Sequence, residues 1–492
     1  MDFKLITLAT TLICVTACQS TPDKVEQNGN LSSAVITSEK KVLLKKDSPT
    51  AIDSQVLFLL LTGETAIQRK QFTVALEAYL EAAKRVKDSR IAEKAAQIAN
   101  YLDNLPKTEK AVSLWVDKDN QNVKARELAL STAMTQKNQA AFVKHLAVIL
   151  KNDPASFEDT LGQLGKKFNT EVEIKFIYQA LDQLAKQHPK QAMIFLTQSL
   201  FAVRQNNFEL ARQKVRQALD LQPAWEKALD VEAELMLFSG KLAFKNRQYS
   251  ESLAWFDKIK RPFLAFDAAL AGVSVLIEQK NFSEASIRLE KLLATEQDLK
   301  RRQELFLIQA EIQSVQKNYS QAVDILTKAL IDNPDNREFL YARALIAEKM
   351  NNMKLLEADL QKILTQDPND FAALNALGYS LINTIARYDE AEKYLQRAIK
   401  LQPEQAMIID SYGWLQFKKG NLESALKYLQ TAYKKMPENE ITAHLAEILW
   451  TLGKKQEAEM LIDEALKKTP TDEFLLDVKH RVLNVQQSDG LK

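Results

Sequence analysis

Small and apolar side chains recur at fixed intervals through the C-terminal half of the chain, set among runs of Lys, Glu and Gln. One series is Ala322, Leu356, Ala391, Ala425 and Ala458. A second follows seven residues later in each case: Ala329, Ile363, Ala398, Ala432 and Ala465. Seven residues are two helical turns, so the two series share one face of a helix. A third set, Gly378, Gly413 and Ala446, sits early in the preceding helical stretch. Small residues at matched places on two successive helices mark where the helices cross closely, because only a small side chain fits there. The pattern predicts antiparallel helix pairs, repeated.

Prolines give the period. Pro334, Pro368, Pro403, Pro437 and Pro470 are separated by 34, 35, 34 and 33 residues. Proline stops a helix because it cannot donate the helical hydrogen bond. A period of 34 is that of the tetratricopeptide repeat, a helix-turn-helix unit. Gly420 and Gly453 fall in the predicted turns between paired helices.

The same signature is fainter toward the N-terminus. Gly63, Ala75, Tyr79 and Ala82 mark a repeat near residues 56–89, and Ala99 with Ala111 mark another. Ala129, Ala141 and Pro154 fit a third; Ala211, Ala218 and Pro223 fit one near 192–225. Gly240, Tyr249, Phe256, Ala285 and Leu292 continue the series, whereas 156–190 gives no clear register. The predicted fold is all-α, a superhelical solenoid of roughly a dozen helix pairs whose stacking builds the core that no single repeat can bury. Divergent repeats are expected over 52–300 and well-defined ones over 301–470. A capping helix and tail occupy 471–492, the helix running from Asp472 to Val485.

Composition agrees. The 492 residues include only 11 Gly and 12 Pro, too few turn formers for a β-sandwich or a glycine-rich nucleotide fold. Lys and Arg total 66 against 64 Asp and Glu, interleaved along the chain, so no nucleic-acid partner is indicated.

The N-terminus reads as an address. Leu5 to Val15 is apolar but shorter than the about 20 residues that span a bilayer. It has the length of a signal-peptide core. Val15-Thr16-Ala17-Cys18 resembles the lipobox of bacterial lipoproteins. Residues 1–17 are then a signal peptide, and Cys18 is the lipidated first residue of the mature chain. Cys14 is removed with the signal peptide, leaving no further thiol. Gln19, in place of Asp, implies the outer membrane and its periplasmic face by resemblance to lipoprotein sorting rules. Residues 19–51 have linker composition, so the lipidated tether of 18–51 reaches on the order of 30 Å.

Catalytic motifs are absent. The sequence has no Gly-x-Ser-x-Gly, no His-Glu-x-x-His and no P-loop, and its four histidines are scattered. No catalytic residue, cofactor or metal site is expected; the function class is protein binding.

Three runs carry a narrower resemblance: Asn375-Ala376-Leu377-Gly378-Tyr379, Asp410-Ser411-Tyr412-Gly413-Trp414, and His444-Leu445-Ala446-Glu447-Ile448-Leu449-Trp450. The chain resembles the outer-membrane tetratricopeptide lipoproteins of proteobacteria, with departures at Tyr412, Ala446 and Asn383-Thr384. The resemblance implies an adaptor that brings a periplasmic carboxyl-terminal-processing protease to peptidoglycan hydrolases. The alternative is an assembly factor for an outer-membrane complex: a secretin, a β-barrel insertion machine or a polysaccharide exporter.

In such repeats the second, fifth, ninth and twelfth positions of each first helix point into the groove. Those positions place Asn375 and Tyr379, then Asp410, Trp414 and Phe417, then Glu447 and Trp450 on the expected protein-binding face. Tyr and Trp offer contact area, while the amide and carboxylates hold backbone or basic groups. The tryptophans also suit the core between repeats, and His444, one turn from the groove line, suits a bracing role. Replacing Asn375 and Asp410 by Ala is expected to weaken capture of a partner without lowering the melting temperature.

Overall fold

The computed structural model describes residues 53–385 and 387–483. The signal peptide, Cys18, the linker to residue 51 and the end of the tail lie outside the described residues. Among the described residues the fold is all-helical, with 25 α-helices in succession and a closing π-turn, Lys479–Leu483. Apart from Pro154–Lys167 and Glu171–Gln187, the first 24 helices run as consecutive first and second members of pairs. The last five second helices are Tyr319–Asp332, Met353–Gln366, Tyr388–Leu401, Leu422–Lys435 and Lys455–Lys468. Each ends two residues before its proline, as the spacing predicts.

Close crossing is the reason for the glycines. A β-carbon on Gly378 would stand 2.6 Å from Leu395 Cγ, and one on Gly413 would stand 2.9 Å from Tyr428 Cβ. Gly63 against Tyr79 and Gly240 against Phe256 repeat the arrangement in the divergent half. Ala322, Ala391, Ala425 and Ala458 on the second helices are all fully buried.

The turn within a pair is built one way in ten of the pairs. The residue leaving the first helix takes a positive φ, and the next one caps the second helix. Gly420 and Gly453 do so at φ +83° and +81°. Eight other pairs use Lys70, Asp103, Lys137, Asn206, Arg247, Lys280, Lys317 and Asn351 at φ 50–64°. Asn104, Asn138, Asn207, Asn281 and Asn352 follow five of these and accept from the backbone N–H of the new helix. Such caps contribute about 1 kcal/mol each.

The unclear stretch 156–190 has a structural cause. Its helices, Pro154–Lys167 and Glu171–Gln187, do not lie against each other as a pair. Both pack instead on Gln139–Asn152, sharing a core of Phe142, Leu146, Phe157, Leu161, Ile177 and Leu181.

From Leu299 onward the stacking makes an inner and an outer wall. First helices such as Phe371–Ile385, Ala406–Lys418 and Asn439–Thr451 touch one another across repeats, while the second helices are splayed apart. The first helices therefore line the inside of the curve. Beyond the last pair, Glu473–Val478 and the π-turn lie on Asn439–Thr451 and Lys455–Lys468, with Leu475 and Val478 buried in the terminal core.

Candidate protein-binding face

Tyr379, Asp410, Trp414 and Glu447 come together on the inner wall of the last three pairs, and His444 joins them. Nδ1 of His444 lies 2.9 Å from Asp410 Oδ2. Its ring stacks on the indole of Trp414, centroids 4.0 Å apart and planes at 17°. Nε2 faces the Tyr379 hydroxyl at 3.4 Å, and that hydroxyl donates to Glu440 Oε1 at 2.6 Å. An imidazolium fits both contacts, since each ring nitrogen then donates. Burial alone would pull the His444 pKa down. Asp410, Glu440 and Glu447 outweigh it, and the net shift is upward from 6.5. Burial and Glu440 hold the Tyr379 phenol well above its ordinary range.

The Tyr379–Glu440 bond skips a helix. Tyr379 is on Phe371–Ile385 and Glu440 on Asn439–Thr451, with Ala406–Lys418 between them in sequence. The inner wall is curved tightly enough here for alternate first helices to meet. Glu348, on Arg337–Lys349, faces the same space. It accepts from the Ser380 hydroxyl, and burial with the nearby Glu440 raises its carboxyl pKa.

The remaining expected residues divide. Phe417 stacks on Trp414 at 5.1 Å, and the ammonium of Lys418 lies over both rings. Glu447 is held by a two-pronged contact from Arg481 at 2.8 and 3.2 Å. Asn375 keeps a buried Oδ1 with no hydrogen-bond partner among the described residues, and so does Oδ1 of Asp410. Trp450 stands apart, packed on the terminal core with Lys455 over its ring at 4.8 Å.

Two expectations change. Trp414 is only 5% exposed and belongs to the core, its Nε1–H donating to Asn383 at 2.7 Å. It orders the wall and offers a partner little surface. Asp410 is 3% exposed and carries the His444 contact, so alanine there would strip the buried His444 ring of its partner and lower stability. The sequence missed His444, Glu348 and Arg481. His444 lies beside the groove line, and its partner is a full repeat away. Glu348 sits at the twelfth position of a first helix, where the same counting would have found it. Arg481 comes from the cap, where no repeat spacing applies. Among the described residues, no group of side chains is arranged to hold a metal.

Three segments match known repeat families. Residues 196–265 and 412–473 match one tetratricopeptide-repeat model, and residues 371–405 match a second. A tetratricopeptide-repeat-containing protein of Pseudomonas aeruginosa, PA4667, is 32% identical over 208 residues. The match takes in 42% of this chain and 35% of that protein, so the chain spans about a third of the relative's length. Among solved structures, yeast Tom70 aligns over 88% of this chain and 97% of its own at 17% identity, with a TM-score of 0.41. A thermophilic tetratricopeptide-repeat protein from Thermus thermophilus aligns over 36% of this chain and 96% of its own at 21% identity, with a TM-score of 0.33. The helix pairs and the matched segments show an all-α solenoid with tetratricopeptide repeats at 196–265, 371–405 and 412–473, an architecture consistent with binding other proteins.

Proposed function

We propose that the chain is a lipid-anchored scaffold on the periplasmic face of the outer membrane, tethered through Cys18. Its inner wall captures a protein partner and holds that partner near its substrates. The best-supported partner class is a carboxyl-terminal-processing protease, with peptidoglycan hydrolases as the proteins presented to it. The observation that carries the binding role is the pair of unpaired acceptors, Oδ1 of Asn375 and Oδ1 of Asp410, buried in a wall held in place by polar contacts. Buried acceptors left without donors are costly, and a bound polypeptide supplies donors. The lipobox and the resemblance of residues 371–458 support the location and the partner class.

The test is a pull-down of the lipidated full chain in mild detergent, read by mass spectrometry, beside a variant with Asn375→Ala and Glu348→Gln. Recovery of a protease of that type or of peptidoglycan hydrolases, lost in the variant, supports the reading. Recovery only of a secretin, a β-barrel or an export subunit contradicts the adaptor role.

A further inference from the structure

Across the inward positions of five successive first helices, every charge present is acidic, and four of the five helices carry one. Counting from Gln303 and Arg337 as from Phe371, the second, fifth, ninth and twelfth positions hold Glu304 and Glu311, then Glu338 and Glu348. Asp410, Glu440 and Glu447 follow on the helices already described. No Lys or Arg occupies an equivalent position on these five helices, although the whole chain carries 66 of them against 64 acids. The bias belongs to the face, not to the composition.

Several acids on other faces are neutralised locally. Arg343 holds Asp359 at 2.7 Å, Arg387 holds Glu357 at 2.8 Å, and Lys419 holds Glu392 at 2.7 Å. On the inner face, Glu304, Glu311, Glu338, Glu348 and Glu440 form no ion pair with any described residue. Burial pushes the carboxyls of Glu304, Glu311 and Glu348 upward. Glu311 is reached by solvent and still shifted, the combination that a concave surface produces.

A second observation points to a ligand. Asp410 is almost fully buried at the centre of this face, and its Oδ1 has no donor among the described residues. The chain also shows how a cation seats here. Arg481 reaches in from the cap and grips Glu447 with two N–H groups, the geometry that guanidinium and carboxylate prefer. The acids farther along the wall are not gripped in this way: Lys349 lies near Glu311 and Glu348, and Arg301 near Glu304, without forming an ion pair with them.

We infer that the inner face takes an extended, Lys- or Arg-bearing segment of the partner protein. Its cationic side chains sit on Glu304, Glu311, Glu348 and Glu440, and its N–H groups supply the donor that the unpaired acceptors at Asn375 and Asp410 lack. This rests on the reading of the chain as a binding scaffold and adds the chemistry of what is bound. Touching helices lie about 10 Å apart, and an extended chain advances about 3.3 Å per residue. Basic residues roughly three apart therefore meet successive helices.

The experiment uses the purified full chain in detergent and three fluorescent synthetic peptides with Gly and Ser backgrounds. One carries Lys at every third position, one Asp at those positions and one Ser. Anisotropy is read for the native chain and for the Glu311→Gln, Glu348→Gln, Glu440→Gln triple variant. A control of equal charge change, Glu423→Gln, Glu459→Gln, Glu464→Gln, alters exposed acids on second helices. Circular dichroism checks folding, and the single Glu348→Gln variant replaces the triple one if helix content falls. The Lys peptide is expected to bind, to weaken with added salt, and to lose about tenfold in affinity in the inner variant only. Equal binding of the three peptides, no binding of the Lys peptide, or equal effects of inner and outer variants overturns the inference. If the pull-down still recovers the partner in any of those cases, the scaffold reading stands and only the basic-segment chemistry falls.

Discussion

The Tyr379 hydroxyl donates to Glu440 at 2.6 Å although the two residues belong to first helices two repeats apart. That bond ties three successive repeats into one wall, with His444 and Asp410 on the helices it spans. Tyr379→Phe is expected to destabilise the C-terminal repeats by about 1–2 kcal/mol, since it leaves the Glu440 carboxylate without its donor. Urea denaturation checks the loss, and the double variant with Glu440→Gln should cost less than the sum of the single changes.

The His444 pKa is raised in the fold, so its contribution to stability is fully present below about 6.5 and is lost as pH rises through the higher folded value. Glu304, Glu311 and Glu348, also raised, act in the same direction by disfavouring the fold once they ionise. His145 opposes them: burial and Arg126 lower its pKa to about 4, so its contribution falls as pH drops below about 6.5. The His444 contribution is therefore read as a difference: relative to the native chain, His444→Gln should lose stabilisation on mild acidification from slightly alkaline pH toward 6, and an unchanged slope would remove His444 from this role.

Arg481 ties the cap to the last repeat through Glu447, whose side chain is 9% exposed. Arg481→Ala should cost about 1–2 kcal/mol, the lower part of the range for bonds to charged groups because the guanidinium is half exposed. Hydrogen exchange should show the loss first in Asn439–Thr451 and Lys455–Lys468, the helices the cap covers.

Backbone geometry supplies an opposite pair of outcomes. Lys317 adopts φ +64° and Lys137 φ +55°, conformations that cost a side-chain-bearing residue about 1 kcal/mol relative to Gly. Lys317→Gly should raise stability by up to about that amount. Gly378→Ala should lower it by about 1–3 kcal/mol, because the new β-carbon meets Leu395 inside normal contact distance.

The repeat period, the helix ends before the prolines and the crossing at Gly378 and Gly413 could be read from the sequence, because each follows from a local steric rule. The turns were legible only at Gly420 and Gly453. Lys, Asp, Asn and Arg carry the same positive φ elsewhere and give no compositional sign of it. The stretch 156–190 resisted because its helices pack on a neighbour and not on each other, which no periodicity within it reports. On the candidate face, Asn375, Tyr379, Asp410 and Glu447 followed from their positions in the repeat. The imidazole linking two of them did not, since a contact between His444 and Asp410 depends on how repeats stack.

The most direct test of the central claim, that the inner wall holds a partner polypeptide, is site-specific photo-crosslinking in living cells. A photoreactive side chain at Glu311 or Glu338 faces inward, and one at Glu423 or Glu459 faces outward. The account predicts a crosslink to a partner protein from the inner positions and none from the outer ones. Crosslinks from the outer positions alone, or equally from both, would contradict it.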